Sequence, residues 1–200
     1  SKMFCACEND PAEIRPNADI CPICLGHPGT LPATNQEAIK KTIKTGLALS
    51  CQIAQKTWFD RKSYFYPDLP KGYQISQHSV PLCQKGFLTI GGRKIRIREV
   101  HLEEDTCRLL HASEKNYSLV DCNRAGVPLM ELVTEPDLKN AQEAKKFAQE
   151  LYLLLSYLDV SDADMEKGQL RIEPSVSLSE NQEQLGVRVE LKNINSFRAM

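Results

Sequence analysis

Between His101 and Asp137 the chain sets carboxylates inside segments that otherwise read as buried strands. His101-Leu102-Glu103-Glu104-Asp105 and Leu129-Met130-Glu131-Leu132-Val133-Thr134-Glu135 mix acids with aliphatic and β-branched residues. Side chains alternate along an extended strand, so His101, Glu103 and Asp105 share one face and Leu102 and Glu104 the other, while Glu131 and Glu135 point the same way. An ionised carboxylate taken out of water costs several kcal/mol unless a cation meets it. The pattern therefore points to a hard ion such as magnesium, which takes carboxylates and substrate phosphates, or to strand-end acids paired with nearby Arg or Lys. Arg124, on the turn before Gly126, carries the fork that grips phosphate in bidentate fashion. Neither His101 nor His111 is assigned as a ligand, because a lone histidine more often serves as a structural hydrogen-bonding group.

Eight cysteines fall into two populations. Cys5-Ala6-Cys7 and Cys21-Pro22-Ile23-Cys24 make two close pairs around a Pro- and Asn-bearing loop, and four such thiolates match a tetrahedral structural zinc site. Two disulfides, or a redox role for Cys21 and Cys24, are the alternatives. Cys51, Cys83, Cys107 and Cys122 stand alone in the sequence and read as small buried hydrophobes.

A third stretch, from Thr57 to Gln77, interleaves Trp58, Phe59, Tyr64, Phe65, Tyr66 and Tyr73 with Arg61, Lys62 and Lys71. Rings beside cations suit a nucleobase and its phosphates or an RNA end, whereas rings beside prolines also serve as packed loop anchors.

These groups need a scaffold, and the remaining sequence describes one. The 200 residues hold 25 basic and 26 acidic side chains, a net charge of -1, so an anionic partner must be met by a local patch. No apolar run reaches the ~20 residues that span a bilayer, and no signal-peptide pattern opens the chain, which reads as an intracellular fragment. Thr34 with Glu37 predicts a capping box and a helix burying Ile39, Ile43 and Leu47. Phe87 to Ile97 predicts a hairpin turning at Gly91-Gly92, followed by strands at Ile95 to Glu104, Ser118 to Asn123 and Leu129 to Thr134. Asn140 with Glu143 starts a second helix running to about Leu158, with Ala144, Phe147, Leu151 and Leu155 on its apolar stripe. Gln169 to Leu178 and Val187 to Leu191 alternate like strands around a polar loop, with Pro174 marking an edge. Lys192, Asn193 and Asn195 precede a helix start at Ser196, where backbone amides can hold an anion.

Taken together, Cys-x-Cys with Cys21-Pro22-Ile23-Cys24-Leu25-Gly26, Phe59-Asp60-Arg61-Lys62, Tyr64-Phe65-Tyr66-Pro67-Asp68-Leu69-Pro70-Lys71-Gly72-Tyr73-Gln74-Ile75-Ser76-Gln77, His101-Leu102-Glu103-Glu104-Asp105, Asn123-Arg124-Ala125-Gly126-Val127-Pro128-Leu129 and Lys192 to Arg198 closely resemble the GatB family, the B subunits of aspartyl/glutamyl-tRNA amidotransferases. The resemblance runs along the whole chain. It implies an α+β, glutamine-synthetase-like cradle with a mainly antiparallel sheet flanked by helices. Residues 1–33 would be a zinc knuckle and linker, and residues 34–200 the rest of the cradle. An opening strand with Glu-x-His ligands would precede Ser1, and helical and tail domains would follow Met200.

It further implies that ATP and magnesium are used to phosphorylate the side-chain carboxylate of Glu-tRNA(Gln) or Asp-tRNA(Asn). Ammonia from a partner amidase subunit, in a complex with a small third subunit, would then displace phosphate. On this resemblance Glu104 and Glu131 lead as magnesium ligands, with Glu103 and Glu135 next. Arg124 and Lys71 would hold phosphate, Tyr64, Tyr66 and Tyr73 would shape the ATP or tRNA pocket, and Arg61 and Lys192 would add nucleotide contacts. Zinc at Cys5, Cys7, Cys21 and Cys24 would be structural, and the setting a bacterial cytoplasm or an organelle, with no membrane partner. Cys107-Arg108 departs from the family's usual Gly-Lys, and Ile172-Glu173-Pro174 from its Cys-Asp-like pair. Two other readings compete: a non-catalytic zinc-bearing tRNA-binding module, and an ATP-dependent amide ligase with a small-molecule acceptor.

Overall fold

In the computed structural model, residues 1–111, 116–179, 184–192 and 194–200 are described. Helix α1 covers Gln36–Ala48, followed by β1 (Gln52–Ile53), β2 (Asp60–Ser63), β3 (Tyr73–Ser76), β4 (Cys83–Ile90), β5 (Arg93–Glu104), β6 (Arg108–His111), β7 (Ser118–Asp121) and β8 (Pro128–Thr134). Helix α2 (Ala141–Tyr157), β9 (Ser175–Val176) and β10 (Val189–Glu190) complete the order. The chain divides into two units: Ser1–Gly86 with Ile97–Val133, and Phe87–Arg96 with Thr134–Met200.

The main sheet runs β1-β4-β5-β3-β2, with β8 also paired to β5. The pairs β1 with β4, β2 with β3, and β3 with β5 are antiparallel, and Ser76 stands opposite Glu103. Twelve residues long, β5 pairs with three other strands, and its aliphatic residues Ile95, Ile97, Val100 and Leu102 are almost wholly buried. This mixed α/β architecture with an antiparallel sheet and two helices agrees with the expected class. The expected turn is present too: Gly91 and Gly92 both take positive φ, 54° and 80°, which suits a two-residue hairpin loop.

Beyond β3 the ladder is continued by a side chain. Gln77 is buried; its backbone N–H donates to the Leu102 carbonyl (3.0 Å), its side-chain oxygen accepts from the Leu102 N–H (3.0 Å), and its amide donates to Thr57 Oγ1 (2.9 Å). One amide thus holds β5 to the loop before β2, meeting backbone groups that would otherwise be buried without partners.

The first helix departs from expectation in two ways. Asn35, not Thr34, is the N-cap, accepting from the N–H groups of Glu37 and Ala38 at 2.9 and 3.1 Å. Its buried face is Ala38, Thr42, Thr45 and Gly46, whereas Leu47 is 63% exposed. Small residues let the helix backbone approach β4 closely, where a Cβ at Gly46 would collide with the Cys83 side chain. The buried threonine hydroxyls donate back to the carbonyls of Ala38 and Lys41, both at 3.0 Å.

In the second unit, Asn140 caps α2 as expected, accepting from the Glu143 N–H at 2.9 Å, and Phe147, Ala148 and Leu155 are its buried residues. Arg96 grips Asp137 through Nε (2.9 Å) and Nη2 (2.6 Å). The two late strands are much shorter than predicted: only Val189 opposite Val176 and Glu190 opposite Ser175, with a bridge between Ile172 and Ile194. Pro174, which has no N–H to donate, takes part only as an acceptor from Leu191, and both strands are exposed. Ser196 opens a turn and not a helix. Asn193 and residues 180–183 of the polar loop lie outside the described residues.

Close packing at Gly46 gives a direct expectation. Gly46→Val loses about 1–3 kcal/mol by overpacking against Cys83, even though valine is the better helix former. Urea denaturation checks this; an unchanged midpoint would mean the helix does not approach β4 so closely.

Candidate active site

The acidic run at the end of β5 is buried almost continuously, from His101 through Asp105. Alternation along the strand sends these side chains to different partners. On one face, His101 Nε2 lies 3.4 Å from Glu131 Oε2 and 3.8 Å from Glu103 Oε2, while Ser76 Oγ donates to Glu103 at 3.2 Å. Glu99 Oε1 is 3.2 Å from His101 Nδ1, but off the hydrogen-bonding line, so that buried nitrogen has no hydrogen-bond partner. His101, Glu103 and Glu131 offer ligand atoms all within 4.8 Å of one another.

Electrostatics couples these groups. Burial works against a charged His101, yet the hydrogen bonds and charges of Glu103 and Glu131 outweigh it and raise the imidazole to about 9. His101 in turn lowers Glu131, against burial and with help from Lys62. At neutral pH His101 therefore carries a proton that holds two carboxylates together, and a metal taking its nitrogen must displace that proton. Where the sequence suggested oxygen donors alone, the group that could hold a metal ion here includes a nitrogen, from a histidine that its strand context alone does not mark as a site residue.

Glu104 faces the other way. Its Oε1 accepts from the Ile75 N–H at 2.9 Å and pairs with the Lys71 ammonium, and both side chains are buried. Glu104 is thus not brought to Glu131; the period of two on β5 separates the two leading candidates. Lys71 and Arg61 both lie over the Tyr73 ring, at 5.6 and 5.5 Å from its centroid. Lys71 and Glu104 border a cavity of about 200 Å³ lined by Phe4, Cys24, His27, Tyr73 and Gly126 among others. A Cβ on Gly126 (φ 82°) would sit 3.4 Å from Cys24, 3.6 Å from Lys2 and 3.9 Å from Glu104, so this residue marks where three segments converge.

Arg124 approaches Asp105 through Nε (3.3 Å) and donates from the same atom to the Thr106 carbonyl (3.2 Å); its side chain is 41% exposed. Cys107 and Cys122 are disulfide-bonded at the base of the β6–β7 ribbon, correcting the reading of both as isolated thiols, although they are buried as expected. Chain spacing gives no sign of this, because only the Ser118 to Asn123 half of that ribbon is legible as a strand. Cys51 and Cys83 are free. Of the aromatic stretch, Tyr64 and Tyr66 are about half exposed, with centroids 6.0 Å apart, and Phe65 is almost fully exposed. Phe59 is a clear packing anchor, edge-on to Phe4 at 5.1 Å.

The four cysteines of the first two pairs carry free sulfurs that all lie within 4.8 Å of one another. Zn–S bonds of about 2.3 Å in a tetrahedron place sulfurs just under 4 Å apart, so the donor set fits a divalent ion of this kind. Burial raises the Cys5 and Cys7 thiols. Burial also opposes ionisation of Cys21, but backbone hydrogen bonds at Cys24 and Ile23 and those of the neighbouring thiols draw it down to about 7.

Two expected site residues belong to the second unit. The Glu135 N–H donates to the Arg96 carbonyl at 2.9 Å. Lys192 is ion-paired with Glu190 (3.3 Å) and Glu173 (3.7 Å), which raise its pKa.

The two faces predict different responses to neutralisation. Glu104→Gln leaves the Lys71 ammonium buried without an anion and costs about 3–5 kcal/mol, whereas Glu131→Gln, at a half-exposed position, costs less than about 1 kcal/mol. Equal losses in chemical denaturation would contradict this division. The raised His101 contributes stability that is complete below about pH 6.5, its unfolded value, and is lost as pH rises through about 9. In chelator, stability should fall across that window, and His101→Gln should flatten the slope.

A family profile described as the GatB/GatE catalytic domain matches residues 1–200. A protein from Thermomicrobium roseum, named as the B subunit of aspartyl/glutamyl-tRNA(Asn/Gln) amidotransferase, is 52% identical over 207 residues, covering 100% of this chain and 43% of the relative. Proteins of the same name from Thermotoga maritima and Dehalococcoides mccartyi are each 50% identical, over 99% and 100% of this chain and 43% and 42% of their own lengths. The chain thus spans less than half the length of the curated relatives it matches. Over that span, with the acidic strand, the Lys71 pair and the cysteine quartet in the order the motifs predict, the chain belongs to the GatB/GatE catalytic domain family.

Proposed function

We propose that this chain is the ATP-using part of a tRNA-dependent amidotransferase, which activates the side-chain carboxylate of Glu-tRNA(Gln) or Asp-tRNA(Asn) and converts it to an amide. The observation that carries this reading is the pair of charged groups on opposite faces of β5: His101, Glu103 and Glu131 on one, and the Lys71–Glu104 pair beside a cavity on the other. The names of the relatives support the substrate class.

A carboxylate is a poor acyl donor at neutral pH. Transfer of the γ-phosphoryl group of ATP to its oxygen releases ADP and leaves an acyl phosphate. Ammonia, supplied by a partner amidase in a complex with a small third protein, then attacks the acyl carbon; the C–O bond to phosphate breaks, and amide and inorganic phosphate depart. Glu103, Glu131 and His101 would hold a magnesium ion, which when bound would offset the charge on the phosphates. Lys71, oriented by Glu104, and Arg124, held at Nε by Asp105 and Thr106, supply cations for phosphate oxygens. Arg61 and Tyr73 line the Lys71 side, while Tyr64, Phe65 and Tyr66 offer ring faces for a nucleobase. The cysteine quartet holds a structural zinc ion, and the sheet forms the glutamine-synthetase-like cradle of a bacterial cytoplasmic enzyme.

ADP release by the full-length protein with its partners, with and without Glu-tRNA(Gln) or Asp-tRNA(Asn), tests this reading. Release should require the charged tRNA, and Glu131→Gln should lower it by at least about 100-fold while Tm changes by only about 2–4 °C. Binding of tRNA without ADP formation in the unaltered protein would leave a binding module in its place. Separately, elemental analysis of the purified full-length protein should find one zinc per chain.

A further inference from the structure

Lys2 is completely buried, which is rare for a lysine without a charged partner. Its ammonium donates to the carbonyls of Asp19 (2.6 Å) and Cys122 (3.4 Å), and its third neighbour is Cys24 Sγ at 3.7 Å. Among the described residues no carboxylate pairs with it. Two neutral carbonyls do not balance a buried cation, and such a charge is strongly destabilising when left alone. The nearby source of negative charge is the sulfur cluster: four thiolates around one divalent ion carry a net charge of two minus. The lysine stem runs past Gly126, where a Cβ would lie 3.6 Å from Lys2 Cδ, in ordinary van der Waals contact.

We propose that Lys2 is the outer cation of the Cys5, Cys7, Cys21 and Cys24 centre, donating a hydrogen bond to the Cys24 sulfur and offsetting part of the tetrathiolate charge. Through its bond to Cys122 the same ammonium fastens that sulfur to the turn that carries Arg124. Lys2 is a positioning residue: it acts on a metal ligand and not on substrate. The role rests on the metal reading above.

The test uses the full-length protein, wild type against Lys2→Met and Lys2→Gln, with zinc affinity measured by competition with a chromogenic chelator. The cobalt(II)-substituted proteins are then compared by their thiolate-to-metal charge-transfer band. Lys2→Met should bind zinc about 10- to 100-fold more weakly. Its charge-transfer band should move to lower energy, because a sulfur that loses its hydrogen bond donates electrons more readily. Lys2→Gln, which keeps an N–H donor but not the charge, should fall between. A lysine needed only for packing would destabilise the fold without moving the band. Wild-type affinity and an unmoved band in Lys2→Met overturn the proposal; should that variant not fold, the same result in Lys2→Gln does so. If the wild type takes up neither metal, the metal reading fails and the Lys2 role falls with it, whereas metal uptake that is indifferent to Lys2 refutes the lysine role alone.

Discussion

The structure of the first unit depends on how charge is compensated at the buried end of β5. Glu103, Glu104 and Asp105 are consecutive acids with almost no access to water. Each has its own partner: His101 and Ser76 Oγ for Glu103, Lys71 and the Ile75 N–H for Glu104, and Arg124 for Asp105. Removing any one cation leaves a carboxylate buried in a medium where attraction and desolvation are both large. These pairs tie β5 to β3 at Ser76 and Ile75, to the segment before β3 at Lys71, and to the turn before β8 at Arg124. One strand pairing inside the sheet and two loops are thereby held by electrostatics as well as by the apolar core.

The cysteine quartet is anchored into the same arrangement. The Met3 N–H donates to the Gly126 carbonyl at 2.7 Å, and Asp105 binds the same turn twice, donating to the Val127 carbonyl (2.8 Å) and accepting from the Gly126 N–H (2.9 Å). Residues 1–35 contain no helix or strand, so their order comes from such bonds, from Phe4 against Phe59, and from the sulfur cluster. A small segment with little apolar core of this kind gains most from a metal or another crosslink. The Cys107–Cys122 disulfide closes the neighbouring ribbon beside Ala125, so this disulfide and Cys24 of the free-sulfur cluster border one turn.

Much of this was legible in the amino-acid sequence because it depends on local rules. Gly91-Gly92 has the backbone freedom that a two-residue hairpin demands, Asn140 caps α2 although the Glu143 carboxylate turns to the Lys139 N–H and Arg93, and two close cysteine pairs suit only a few chemistries. Strand alternation alone also separates Glu104 from Glu103, but that Glu131 joins the Glu103 face and not Glu104, its expected co-ligand, was settled only by the fold. Other features needed the fold. The buried face of α1 is set by how closely it approaches Cys83, which favours Ala38, Thr42, Thr45 and Gly46 over the larger Ile39, Ile43 and Leu47.

His101 is the plainest case of what tertiary structure alone decided. Its sequence neighbours mark it as a histidine in a strand, and only the pairing of β5 with β8 brings Glu131 within 3.4 Å and raises its imidazole. Lys2 and Cys107 are similar: their partners Cys24 and Cys122 lie 22 and 15 residues away, across chain reversals that no short-range pattern encodes. The sequence by itself determined which residue types were available, where the chain turns and which face each strand residue occupies, because those follow from backbone geometry. Which charges meet, which sulfurs pair and which lysine is buried were decided by long-range packing, because desolvation and Coulomb energies depend on distance in space and not along the chain.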